Sequence, residues 1–203
     1  HELLAIELMA LCLLRFPEAP AAFRRGLANI ISEEQEHLRM YISGAGRLGV
    51  ELGEQPVNAF FWDALRNADS PLAFVAGMGL TFEQANLDHC RRFIGLFDQA
   101  GDSQSAELLR KVYADELRHV RHGLSWFRSW KEPGATDFEA HREALSKPLT
   151  IARAKSRPFD EAGRRSLGFG EDYIRSLRLF SHSAGRPPNV YVFNPGCEAE
   201  LAR

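Results

Sequence analysis

Two short stretches, Glu34-Gln35-Glu36-His37 and Glu116-Leu117-Arg118-His119, constrain this chain more than any other feature. A Glu and a His three residues apart on a helix share one face, about 4.5 Å apart along the axis. One such pair is usually solvated surface. Two pairs, each matched by a further Glu at the same height on a neighbouring helix, are the ligand set of a two-metal carboxylate bundle. The chain supplies the match, because residues equally far from the turn of a helical hairpin lie side by side. A first turn centres near Glu18, with Glu2 16 residues before it and Glu34 16 after it. A second centres near Ala100-Gly101, with Glu83 and Glu116 at similar distances on either side. The separations Glu2 to Glu34 and Glu83 to Glu116 are 32 and 33 residues, an internal repeat of helix, turn, and helix with Glu-x-x-His. Two such hairpins about a pseudo-twofold bring Glu2, Glu34, His37, Glu83, Glu116 and His119 to one level of an all-α four-helix bundle.

Two divalent iron or manganese ions carry four positive charges, which four glutamates balance. Mixed oxygen and nitrogen donors favour Fe or Mn, whereas thiolates indicate Zn or an iron–sulfur cluster. Without cations, four carboxylates converging in a dry core repel one another and lose solvation. Two Fe ions are therefore the expected cofactor, with Mn or a mixed Mn/Fe pair as variants. Other nearby groups fit less well. Glu7 lies only 11 residues before the first turn, about 7 Å off level. Glu33 and Glu36 are rotated by about 100° and 200° from Glu34, which turns them outward. Asp115 suits a supporting role beside a ligand. Asp88 and His89 fall on other faces than Glu83, as surface or supporting groups. Tyr41, one turn past His37, is either a core aromatic or an oxidisable residue near the metals. His122, one turn past His119, either lines the pocket or is an ordinary satisfied or solvated histidine.

The remaining sequence supports four long helices. Glu2–Phe16 holds no Gly or Pro and is apolar almost all round, which predicts a buried helix. Pro17 and Pro20 end it and start a second, from about Ala21 to Ser43 or beyond. A long crossover follows, from about Gly49 to Ser70. Phe60, Phe61 and Trp62 mark it as ordered, with a short helix over Ala59–Arg66 capped by Asn58. Ser70-Pro71 opens a third long helix reaching about Gln99, and a fourth runs from about Gln104 to Trp130, where Pro133-Gly134 closes it. Residues 1–130 are thus expected to form the bundle, and 131–203 a mostly helical appendage packed on it. Within that appendage Thr136-x-x-Glu139 reads as a capping box, further helices fall near Asp160–Leu167 and Glu171–His182, and Val190, Val192 and Phe193 read as an edge strand.

Composition excludes little. A net charge of −2 gives no overall attraction to nucleic acid or acidic membranes. Residues 140–203, with 11 Lys+Arg against 7 Asp+Glu, are mildly basic, usually the sign of a solvated face. Cys12, Cys90 and Cys197 have no metal-binding spacing and suit reduced thiols in the cytoplasm. No apolar run reaches bilayer length, so no membrane partner is expected. The chain opens at His1-Glu2 without a Met, which suggests a part of a longer protein.

The series His1-Glu2-Leu3-Leu4-Ala5-Ile6-Glu7-Leu8, Glu33-Glu34-Gln35-Glu36-His37, Pro56-Val57-Asn58, Leu80-Thr81-Phe82-Glu83 with Asn86-Leu87-Asp88, and Asp115-Glu116-Leu117-Arg118-His119-Val120 resembles an uncharacterised bacterial family of ferritin-like proteins. That family is distantly related to the di-iron tRNA hydroxylase acting on methylthio-isopentenyl-adenosine. The likeness spans residues 1–130 and extends to Pro188–Pro195. It implies a ferritin-like bundle with a long crossover between helices 2 and 3, and a di-iron site on the six residues already named. The leading expectation is an O₂-dependent oxygenase or hydroxylase of unknown substrate, served by an electron-donor protein. The alternatives are a ferroxidase or other metal-handling protein, and a non-catalytic module whose basic residues (Arg153, Lys155, Arg157, Arg164, Arg165, Arg175, Arg178) contact tRNA. The sequence leaves the oligomeric state open, a dimer included.

Overall fold

Short turns set the architecture. The computed structural model describes residues 1–54 and 56–180. Among them there is no strand, and the fold is all-α. Helix α1 (Glu2–Arg15) and α2 (Ala21–Arg47) form one hairpin. After the crossover, which contains α3 (Phe60–Leu65), helix α4 (Pro71–Gly77) runs through a π-helical turn, Met78–Glu83, into α5 (Gln84–Ala100). A left-handed Gly101 reverses the chain into α6 (Ser103–Trp130), completing the second hairpin. Packing of α2 on α6 joins the hairpins into a bundle.

The caps predicted at Ser70 and Thr136 form, and the Ser70 hydroxyl accepts from Ala73 N. Asn58 stands one residue before Ala59, the N-cap of α3, and its Oδ1 accepts from Phe60 N. Thr136 and Glu139 pair at the start of α7 (Asp137–Ala144). Helices α8 (Glu161–Ser166) and α9 (Glu171–Leu179) stand where helices were expected, and a 3₁₀ turn, Ile151–Ala154, comes in addition. The expected strand at Val190, Val192 and Phe193, with Cys197 and the stretch to Pro195, lies outside the described residues.

The third long helix is not the uniform α-helix its sequence suggests. In the π-helical turn the Thr81 hydroxyl donates to the Ala76 carbonyl at 2.8 Å, an alternative to regular pairing that Thr offers the backbone. Two glycines bring this turn against α6. A Cβ on Gly79 would stand 3.1 Å from Gly123 Cα, and one on Gly123 3.1 Å from Gly79 Cα. A single hydrophobic core spans Leu8, Met9 and Phe23, through Leu80 and Phe127, to Ile151, Ile174 and Leu177, so residues 140–177 share the bundle's core. The aromatic crossover is seated as predicted: Phe61 stacks on Phe82 at 3.8 Å and on His1 at 4.5 Å.

Candidate metal centre

All six residues picked out by spacing meet inside the bundle. Glu2, Glu34, His37 and Glu116 offer ligand atoms within 4.8 Å of one another, and so do Glu34, Glu83, Glu116 and His119. The two quartets share Glu34 and Glu116, one from each hairpin. Glu34, His37, Glu83, Glu116 and His119 are buried, and Glu2 is partly so. Glu36 is exposed, as expected, and Glu7, exposed too, belongs to neither quartet.

The imidazoles are held by carboxylates on the far ring nitrogen. His37 presents Nδ1 to Glu34 Oε2 at 3.1 Å, while its Nε2 meets Asp115 Oδ2 at 3.0 Å. His119 presents Nδ1 to Glu34 Oε1 at 3.0 Å, and its Nε2 meets Glu33 Oε2 at 2.7 Å. Such a partner fixes the tautomer and aims the other nitrogen at a metal. Asp115 takes the supporting role expected of it, whereas Glu33 does not point away. It reaches round to α6. Each acid just before Glu34 or Glu116 thus grips the histidine of the opposite helix. Arg118 donates to both acids, to Glu33 at 2.8 Å and to Asp115 at 2.7 Å, and Lys111 donates to Asp115 at 3.1 Å. The signal was in the sequence: Glu33-Glu34 and Asp115-Glu116 occupy equivalent places in the repeat.

Three buried atoms in the cluster have no hydrogen-bond partner among the described residues: Glu83 Oε1, Glu116 Oε2 and His119 Nδ1. The last is near Glu34 but off the line a hydrogen bond requires. Partnerless buried groups of this kind are costly, and a cation between them would satisfy all three. The donor set therefore fits a metal. Without one, protons stand in. Burial pushes Glu83 up to about 8, its acidic neighbours adding to the effect. Burial and the adjoining Glu34 raise Glu2. Burial alone would lower His119 and raise Glu34, yet their neighbours prevail. Glu116 and Glu34 hold His119 up at about 12, and the adjoining His119 and His37 hold Glu34 below the usual carboxylate range.

The pocket candidates separate. Tyr41 borders the cluster, its phenol pushed up by burial and by Glu2. His122 belongs to neither quartet. It stacks on Phe23 at 5.7 Å, facing Gly26, where a Cβ would stand 2.2 Å from its ring. Asp88 is fully buried rather than on the surface, in an ion pair with the buried Arg164 at 2.7 Å, and His89 is exposed. Much of the basic charge after residue 140 is used internally. Arg165 pairs with Glu161 and Glu171, Arg178 with Glu161, Arg175 with Asp172, and Arg153 lies 4.0 Å from the Phe60 ring centre.

Fold and cluster together define an all-α bundle protein with a buried carboxylate–imidazole group that could hold metal. No helix among the described residues is long and apolar enough to cross a membrane. The family model described as "Protein of unknown function (DUF455)" matches residues 1–175, and the chain belongs to that family. No curated protein and no solved structure matches it.

Proposed function

We propose that the protein is a di-metal carboxylate oxidoreductase, most simply a di-iron hydroxylase of the ferritin-like kind working in the cytoplasm. The observation that carries this reading is the pair of quartets sharing Glu34 and Glu116. One ion would be held by Glu2, Glu34, His37 and Glu116, and a second by Glu34, Glu83, Glu116 and His119. Redox-active ions there supply activation of O₂ toward a C–H bond. The chain's own residues do the rest. Asp115 and Glu33 keep each imidazole's Nδ1 turned inward, and Arg118 ties the two acids together. Phe61 stacks on Phe82, the residue before Glu83, at 3.8 Å. Tyr41 keeps its phenolic proton beside Glu2. The balance of such a hydroxylation requires two further electrons, so an electron-donor protein is part of the proposal. The relation to the tRNA hydroxylase also belongs to this reading and rests on the ligand pattern alone.

Loading with Fe(II) under nitrogen and then admitting O₂ tests it. The expected result is O₂ uptake that stops near two Fe(II) oxidised per chain, with a Mössbauer spectrum of a coupled ferric pair. Oxidation continuing far beyond two Fe(II) per chain would favour a ferroxidase. No uptake of iron would end the proposal.

A further inference from the structure

Glu83 is the ligand least supported through its own side chain. His37 has Asp115, His119 has Glu33, and Glu116 Oε1 accepts from Asn86 Nδ2 at 2.8 Å. Glu83 Oε1 has no partner among the described residues. Its placement therefore depends on backbone, and that backbone is the last residue of the π-helical turn. A π-turn holds one residue more than the α-helix it interrupts. If it annealed or slid by one position, Glu83 would rotate by about 100° and shift about 1.5 Å relative to α4. Something must hold the turn.

α6 packs on it through Gly123, and residues 131–180 add a chain of hydrogen bonds. His141 Nε2 lies 3.1 Å from the Ala76 carbonyl and 2.9 Å from Thr81 Oγ1. A carbonyl only accepts, so Nε2 carries the proton and Nδ1 is bare. Nδ1 then accepts from the Tyr173 hydroxyl at 2.9 Å. Because the Tyr173 proton goes to His141, the Gln84 amide is assigned with its nitrogen toward Tyr173: that nitrogen donates to the Tyr173 oxygen at 3.0 Å and to the Leu80 carbonyl at 2.6 Å, and the amide oxygen accepts from Arg164 Nε at 3.2 Å. Arg164 is anchored on Asp88 at 2.7 and 3.0 Å. Every link has one donor and one acceptor, and His141, Thr81, Gln84, Tyr173, Arg164 and Asp88 are all buried. The chain of bonds ends on Ala76 and Leu80, carbonyls at and just before the turn that carries Glu83.

We infer that residues 131–180 are a constituent of the metal site: through His141, and through Tyr173 and Arg164 acting on Gln84 of α5, they lock the π-helical turn and so set the Glu83–His119 half of it. His141 acts as a positioning residue. This inference rests on the two-metal reading, and its test is arranged to separate the two.

The probe is Co(II), titrated calorimetrically into metal-free wild type, His141→Phe and His141→Gln, with hydrogen exchange of the 80–84 amides measured on the same metal-free proteins. Wild type should bind two Co(II). His141→Phe should keep one and lose roughly 10- to 100-fold affinity for the other, as changes beside ligands do, with faster exchange at 80–84. His141→Gln, whose amide can still donate to Ala76, should recover most of both. If His141→Phe fails to fold, Tyr173→Phe, which removes a single oxygen, replaces it with the same expectations. Two unchanged sites with unchanged exchange in the folded variant would overturn the inference and leave the two-metal reading standing. A wild type that binds no Co(II) would overturn the metal reading and the role assigned to Glu83, and the exchange rates would still decide whether His141 locks the turn.

Discussion

Glu34 and Glu116 differ from the other four cluster residues in belonging to both quartets. Glu34→Ala should therefore abolish uptake of both ions, whereas Glu2→Ala should remove only one, and elemental analysis of protein reconstituted with Fe(II) distinguishes these outcomes. Glu83 gives a second handle. Its carboxyl is raised to about 8 in the metal-free fold from an ordinary value near 4.3. A raised carboxyl contributes stability below its unfolded value and loses it as pH climbs through the folded value. Metal-free Glu83→Gln, which does not titrate, should melt higher than wild type by a margin that grows from about pH 4.5 to pH 8, read by thermal denaturation across that range. The same variant should bind one ion fewer, which is the ordinary trade between stability and a site.

Helices α1, α2 and α6 were legible because each announces itself: a Pro-bounded apolar run, a Glu-x-x-His repeat, and a Pro-Gly stop. The heights of Glu2 and Glu83 followed from counting to the turns, which works wherever helices are regular. Counting does not reveal the turn at Met78–Glu83, where the sequence shows small and apolar residues, one Thr and Glu83 itself. The extra residue there is stabilised by His141, 60 residues past Thr81, and no local pattern carries that. Glu33 departs from its expected outward place for another reason. A helical wheel gives the direction of its Cβ, not the reach of its side chain, and three more bonds bring its carboxylate to His119. The turn also predicts intolerance to added bulk. Gly123→Ala puts a methyl about 3.1 Å from the Gly79 backbone, and overpacking of this kind costs about 1–3 kcal/mol. Urea denaturation should show that loss, and a matching Gly79→Ala should show it too.

The sequence leads one to expect residues 131–203 as an appendage packed on the bundle, and in the part described, to residue 180, Ile151, Ile174 and Leu177 belong to one core with Leu80 and Phe127. A chain ended after Trp130 should lose cooperative unfolding and bind a hydrophobic dye. His141 adds a pH signature to the intact protein. Burial pushes it down to about 4, from about 6.5 in the unfolded chain. Between those values the unfolded state binds more protons, so stability is full above about pH 6.5 and falls as pH drops towards 4, by about 3 kcal/mol for this one group. Urea midpoints at pH 7 and pH 4.5 should diverge more in wild type than in His141→Gln. The crossed grip of Glu33 on His119 and Asp115 on His37 bears on inheritance as well as geometry. A hairpin duplicated from a simpler ancestor could not complete its own imidazole; each copy borrows its anchor from the other. The two halves are therefore bound to drift together, a change in the length of one acid asking for an answer in the opposite helix. Neither hairpin is a transplantable half-site, and a designer who wanted this centre in another scaffold would have to move the pair.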